Sequence, residues 1–340
     1  MGTRATKIIE WAKRWLGLVL AVSGLAFLLL VSRQTLVTAT LTLSHLKAIA
    51  LLALLAFALW TLASAVAWRA LLVSSGIRKK PGLGHLWLIR FEAQAVNLVL
   101  PLAGVGGEAL RVSALRHDTH QGTASTASVI LDVTTEVAAC FLFAALGTLV
   151  DWHALHHLPV GLWVAGVATS ITLALAAWFA PTLLPRVARW SVWGQWARRL
   201  RQLGEVMKRA RRSGMGPSFA WHMVERLIIA SEAYIYAHAL GLPMTLLGAI
   251  FATALLTLLG SILFFIPGQI GAAEGGLVLA MLGLGFAISD GLALALARRL
   301  RQLLVGVVGI VILLLTAGVH ALSPAAAPAA SVAGQQRTKT

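Results

Sequence analysis

The chain has 340 residues, 59% of them hydrophobic and 12% charged, with a mean hydropathy of +0.84. A soluble domain carries about 25% charged residues, so this chain has too little polar surface for a water-soluble fold and reads as an integral membrane protein. Lys and Arg number 28 against 12 Asp and Glu, a formal net charge of +16; in a membrane protein that excess marks basic cytoplasmic loops facing anionic lipid heads, not nucleic acid. The single cysteine, Cys140, excludes an intrachain disulfide and a cysteine-based metal site.

In chain order, Arg4, Lys7, Lys13 and Arg14 precede an apolar run over 15–31. The run is long and no A-x-A-like site follows it, so an uncleaved anchor is expected rather than a signal peptide. Further runs long enough to cross a bilayer lie at 47–68, 124–150, 160–180, 219–240 and 300–320. The regions 86–116 and 244–290 are apolar but interrupted by Pro and Gly. Basic residues gather in 1–14, 69–85 and 181–218 and are absent from 151–159 and 286–291. The positive-inside rule then puts both termini in the cytoplasm. Six spans fit that assignment only if each interrupted region leaves the membrane on the side it entered, the first from the cytoplasmic side and the second from the outer side. The expected fold class is an all-α polytopic membrane protein with six full spans and two re-entrant, broken helical hairpins.

Within 181–218, Trp193, Trp196, Leu200, Leu203 and Met207 form one helical stripe among arginines and lysines. This pattern suits a helix lying in the headgroup plane against anionic phospholipid heads. Residues 323–340 are small, polar and Pro-containing, and are expected to be a disordered cytoplasmic tail. The expected division is a membrane domain over 1–322, with pseudo-repeats at about 47–150 and 219–320.

The two interrupted regions resemble each other. The first reads Asn97, Pro101, Gly104, Gly106, Gly107, Glu108 and then Arg111; the second reads Pro267, Gly268, Gly271, Glu274. Pro101 to Pro267 and Glu108 to Glu274 are both 166 residues, and the same offset carries Asp132 to Arg298. Pro and Gly break helices, and the freed backbone groups are tolerated in a membrane only where protein or water covers them. Paired breaks of this kind are a pointer to inverted-repeat transporters, with a site near the midplane where helix N-termini favour an anion.

Charge inside a span is costly and marks function by default. Asp132 and Glu136 share a helix face at i,i+4, and Arg298 and Arg301 share one at i,i+3. The arginines suit a phosphate held by bidentate hydrogen bonds; the plainer alternative is an interfacial cluster at a helix start. Glu108 and Glu274 either cap the helices after the breaks or carry a coupling proton. Arg90, Glu92, Glu232 and the neighbouring Glu225 and Arg226 complete the set, the last two fitting a structural pair, and His222 fits a satisfied polar residue. His153, His156 and His157 have weak metal spacing. No nucleotide-binding loop, nucleophile elbow or metalloprotease motif is present.

The stretches VNLVLPLAGVGGE, VILDVTTE, IPGQIGAAEGG and ALARRLRQLL resemble the flippase-like family, the transmembrane region of lysylphosphatidylglycerol synthases and its stand-alone relatives, over about 12–318. The wording is most similar to the hopanoid-biosynthesis-associated HpnL branch. The resemblance implies a multi-pass protein of a bacterial inner membrane that moves a lipid between leaflets. It does not imply lipid aminoacylation, since the synthases' soluble transferase domain is not among these residues. The function expected is translocation, without covalent chemistry or cofactor, of a lipid with a polar or anionic head, hopanoid-related. Asn97, Arg111, Arg298, Arg299 and Arg301 would bind substrate. Glu108, Asp132, Glu136 and Glu274 would couple or gate, and Pro101, Gly106, Gly107, Pro267, Gly268 and Gly271 would form the breaks. No metal is expected. Partners would be the lipid, anionic heads at 181–218 and lipid-biosynthesis enzymes. The alternatives are a membrane-embedded lipid-modifying enzyme or a scaffold for such enzymes.

Overall fold

The computed structural model describes residues 43–77, 80–99, 105–150, 160–187, 194–262 and 272–322. Within these residues the chain forms nine helices and no strand: α1 (Leu43–Ser74), α2 (Leu83–Val99), α3 (Val105–Thr119), α4 (Gly122–Leu149), α5 (Val160–Val187), α6 (Gly194–Ala239), α7 (Leu246–Ile262), α8 (Ala272–Gly283) and α9 (Ile288–Leu322). The expected spans at 47–68, 124–150 and 160–180 correspond to α1, α4 and α5. Those at 219–240 and 300–320 are the C-terminal parts of the longer α6 and α9. The run at 15–31, the tail 323–340, the outer-loop histidines and the break residues Pro101, Gly104, Pro267, Gly268 and Gly271 lie outside the described residues.

Several helices are apolar outside as well as inside. In α1, Ala56, Trp60, Ala63, Ala67 and Leu71 make a buried stripe at steps of 4, 3, 4 and 4, while Leu51, Leu55 and Leu59 are exposed on the other side. Exposed Val164, Ile171 and Leu175 on α5, and Val307 and Val311 on α9, continue this outer apolar surface. Such a surface fits lipid as its solvent. Residues Leu54–Ser74 of α1 and all of α4 are by themselves long and apolar enough to cross a membrane. The apolar half of α6 is interrupted by Glu225, Arg226 and Glu232. Hydroxyls inside the helices turn back on their own backbone, as Thr61 Oγ1 does to the Phe57 carbonyl at 2.7 Å and Thr148 Oγ1 to that of Ala144 at 2.9 Å, which leaves them satisfied without water.

The most extensive helix contact joins α1 to α6. Leu71 packs with Met207, Ala210 and Met215, and Phe57 and Trp60 pack with Ile228 and Ile229, so the two helices run antiparallel. A Cβ on Gly214 would come within 2.6 Å of Ser74 Oγ; only glycine permits this approach. Part of the stripe expected to lie in the headgroup plane is covered by other helices. Leu203 and Met207 pack onto Leu71 of α1, Ile130 and Leu131 of α4 and Trp178 of α5. The helix then continues unbroken through Pro217. The side chains of Trp193, Trp196 and Leu200, the rest of the expected stripe, lie outside the described residues. At 1.5 Å per residue α6 is about 69 Å long, and Lys208, Arg209 and Arg212 of its N-terminal half are exposed.

Helix pairings recur in matched sets. α1 packs on α2 as α6 packs on α7, α2 on α3 as α7 on α8, and α3 on α4 as α8 on α9. α4 meets α7 as α9 meets α2, α4 meets α6 as α9 meets α1, and α1 meets α4 as α6 meets α9. α5 packs on α4 and α6 outside this scheme. The turns correspond as well. Among the described residues, backbone with positive φ occurs at Gly76 and Gly241, and at His120 and Gly285; each pair is 165 residues apart. Both cross-contacts are small-residue crossings. A Cβ on Gly147 of α4 would lie 2.5 Å from the Ala254 Cβ of α7, and one on Gly309 of α9 would lie 2.0 Å from the Ala95 Cβ of α2. Gly309→Ala is thus expected to destabilise the protein by about 1–3 kcal/mol through overpacking. Gly84→Ala, with nothing within 4 Å, is expected to be neutral or slightly stabilising. Thermal unfolding of the two variants in detergent checks this.

Each interrupted region is a pair of contacting helices, α2 with α3 and α7 with α8. They contain 17, 15, 17 and 12 residues. At 1.5 Å per residue that is about 18–26 Å, short of a hydrocarbon core of about 30 Å.

Candidate functional site

Two ionic clusters lie inside the helix bundle, one beside each hairpin. The first centres on Asp132 of α4, which is fully buried. Its Oδ2 accepts from Arg90 Nη1 of α2 at 3.1 Å and from Arg111 Nη2 of α3 at 2.5 Å. Its Oδ1 lies 3.2 Å from His222 Nε2 of α6. Arg90 also donates to Glu136 Oε2 at 2.5 Å, and Arg111 to Glu108 Oε2 at 2.6 Å. His222 Nδ1 lies 2.7 Å from Glu225 Oε2, and Arg226 donates to Glu225 Oε1 at 3.0 Å and stands 3.6 Å from Glu136 Oε1. The Arg111 guanidinium also sits 4.2 Å from the centre of the Trp68 ring, a cation–π contact strengthened by the dry surroundings. Four helices thus contribute charge to one web. Each group is affordable here only because another member pairs with it.

The second cluster joins α6, α8 and α9. Arg299 donates through Nε to Glu274 and through Nη1 to Gln302 Oε1 at 2.8 Å. Arg301 Nε stands 2.9 Å from Glu232 Oε1 as an ion pair. Arg298 Nη1 is buried and meets no hydrogen-bond partner among the described residues. A cleft between α8 and α9 is lined by Glu274, Arg298, Arg299 and Gln302 together with Ala273, Leu277 and Ala295. A buried guanidinium that keeps an unused donor beside a cleft is what an anionic group needs from a binding site.

The expected site residues divide accordingly. Asp132, Glu136, Glu108 and Arg111 come together in the first cluster, and Arg299, Arg298, Arg301 and Glu274 in the second. Both Nη atoms of Arg111 meet carboxylates and its face meets Trp68, while its buried Nε has no hydrogen-bond partner among the described residues. Asn97 spans the first hairpin: its Oδ1 accepts from the Gly107 amide at 2.7 Å. Glu108 and Glu274 each stand in the first turn of their helices, where the helix dipole favours them, and each also pairs with an arginine. Gly106 and Gly107 lie in the first turn of α3. A Cβ on Gly107 would come 2.3 Å from the Ala93 carbonyl oxygen. Gly107→Ala is therefore expected to pry α3 from α2 and lower the yield of folded protein, while Gly84→Ala, where nothing lies within 4 Å, does not; size-exclusion profiles of the two variants check this.

Arg90, His222 and Glu225 belong at the centre of the first cluster, although none ranked among the expected site residues. Arg90 was visible as a charge in an apolar helix. His222 and Glu225 share a face at i,i+3, but Trp68 carried no sequence signal. Asp132, Glu136 and His222 bring ligating atoms within 4.8 Å of one another. The same carboxylates are held by Arg90 and Arg111, whose charge opposes a cation there.

Among known proteins, the model of the lysylphosphatidylglycerol synthase TM region matches residues 14–325. No curated protein and no solved structure matches the chain. The family is one of membrane regions associated with lipid, in agreement with the apolar exterior and the ionic interior. With the match covering nearly the whole chain, this protein belongs to the lysylphosphatidylglycerol synthase TM region family.

Proposed function

We propose that this protein is a flippase-like lipid translocator of a bacterial inner membrane. It moves a lipid with a polar or anionic head between leaflets and makes or breaks no covalent bond. The observation that carries this reading is the pair of buried ionic clusters, each set beside a hairpin of helices too short to cross the membrane. Ionic groups in an apolar bundle are costly to keep, and a passing polar head is a use for them. The matched helix pairings and the 165-residue spacing of the turns support an inverted repeat. In that arrangement α2–α3 dips from the cytoplasmic side, α7–α8 dips from the outer side, and six spans surround them. The lipid head would enter the cleft at Arg298, between Glu274 and Gln302, while the tail stays in the bilayer. The wording of the motifs favours a hopanoid-related lipid. The exposed Lys208, Arg209 and Arg212 on the extension of α6 suit anionic heads at the cytoplasmic surface.

Reconstitution tests this directly. Purified protein in liposomes carrying trace fluorescent lipids in both leaflets is expected to let a membrane-impermeant reductant bleach more than the outer half of the signal. Bleaching that stops at the outer leaflet for every head class tried, as in empty liposomes, overturns the reading.

A further inference from the structure

The two clusters are unbalanced in opposite directions. The first holds four carboxylates (Glu108, Asp132, Glu136, Glu225) against three guanidiniums (Arg90, Arg111, Arg226). Among the described residues, the second holds two carboxylates (Glu232, Glu274) against three guanidiniums (Arg298, Arg299, Arg301). Equivalent helix positions carry the difference: Asp132 and Glu136 on α4 correspond at an offset of 166 to Arg298 and Gln302 on α9. One proton would balance the first cluster, and one single negative charge would balance the second.

The place for that proton is built. His222 is fully buried, and both its ring nitrogens face carboxylates, Nε2 to Asp132 Oδ1 at 3.2 Å and Nδ1 to Glu225 Oε2 at 2.7 Å. A neutral imidazole has one donor and one acceptor nitrogen. Two ionised carboxylates, which only accept, require both nitrogens to carry hydrogen. The charged groups around it are Asp132 and Glu136 of α4, Glu225 and Arg226 on its own helix, and, through Asp132, Arg90 of α2 and Arg111 of α3. Among the helices packed on α6, α7 has no ionisable residue, the described side chains of α5 include none and those of α1 only the exposed Arg69, while α9 brings Arg298, Arg299 and Arg301 and α4 adds the Cys140 thiol near Arg226. α6 also carries Glu232, two turns beyond Glu225 on the same face, so one helix reaches both clusters.

We infer that Asp132, His222 and Glu225 form a proton-binding site coupled to a phosphodiester head of single net negative charge, with no cation of its own to balance it, held at Arg298. The inference rests on the proposed translocation only for the nature of the anion. With proton and head both bound, each cluster is neutral; with the head alone, the first cluster keeps an unbalanced negative charge within the same bundle. Binding of one therefore favours binding of the other, and the coupling is reciprocal.

The test is the affinity of full-length protein, in nanodisc or detergent, for phosphatidylglycerol as a function of pH, with phosphatidylcholine and inorganic phosphate measured beside it. Phosphatidylglycerol affinity is expected to fall with rising pH, by up to tenfold per unit while His222 loses its proton, and that of phosphatidylcholine to stay level. His222→Gln removes the proton site and Glu225→Gln removes the surplus carboxylate; each is expected to bind phosphatidylglycerol with a flat pH dependence. Either variant suffices if the other does not fold. A flat profile in the unmodified protein, with lipid still translocated, overturns the proton site and leaves the proposed function standing. A slope that survives in both variants overturns the assignment to His222. Phosphate binding with pH linkage, and no binding of phosphatidylglycerol, overturns the lipid head as the anion.

Discussion

Asp132→Ala is expected to be among the most damaging single substitutions in the chain. The Asp132 carboxylate is shared by Arg90 and Arg111, both essentially without solvent exposure, and by His222. Removing it leaves two guanidiniums short of a partner where water does not replace one. Breaking a buried pair in this way costs about 3–5 kcal/mol. Much of the protein should fail to fold, and the remainder should unfold at a clearly lower temperature in detergent. Glu108→Gln is the contrasting change. The Glu108 side chain is 26% exposed, so water compensates Arg111 there, and the loss should be a fraction of that seen at Asp132. Pairing Asp132→Leu with Arg111→Met should cost less than the two single changes together, since the double variant strands one guanidinium fewer. Strictly additive losses would mean that the web does not act as a unit.

Arg298→Gln should do the reverse, sparing the fold and impairing the activity. Arg298 Nη1 has no partner to lose, so thermal unfolding should stay within about 0.5 kcal/mol of the unmodified protein, as for substitutions away from packed or paired features. A hydrogen bond to a charged group contributes about 1.5–3 kcal/mol, so translocation of a phosphodiester lipid in liposomes should slow by about 10- to 100-fold. Arg301→Gln separates stability from function in the other direction. It strands the buried Glu232, and its loss of activity should follow its loss of stability. An Arg298→Gln protein that is stable and fully active would remove the second cluster from the transport path.

Much of this architecture is legible in the sequence because hydrocarbon imposes simple rules. The length of apolar runs located α1, α4 and α5, and each interrupted region holds a pair of contacting helices, α2 with α3 and α7 with α8, the prolines of the expected breaks lying outside the described residues. The cost of buried charge pointed to Asp132, Glu136 and the arginines of α9. What stayed hidden depends on which helix faces which. Arg90 and Asp132 are 42 residues apart in the chain, and His222 and Asp132 are 90 apart; no local period announces such pairing. An apolar stripe among arginines looks the same in sequence whether lipid heads or neighbouring helices cover it; Leu203 and Met207 of α6 pack with Leu71, Leu131 and Trp178. Arg111 and Asn97 have the chemistry of ligand-binding residues, and the Nη atoms of Arg111 and Oδ1 of Asn97 already meet partners within the protein.

The central claim is that two helical hairpins approach the clusters from opposite faces of the membrane. Ala109 and Gly275 are both exposed, lie in the first turns of α3 and α8, and are 166 residues apart. Single cysteines at these positions, in a Cys140→Ser background, can be tested with a membrane-impermeant thiol reagent applied from one side at a time. The account predicts that Ala109→Cys reacts from the cytoplasmic side and Gly275→Cys from the outer side. Reaction of both from the same side, or of neither from any side, would contradict it.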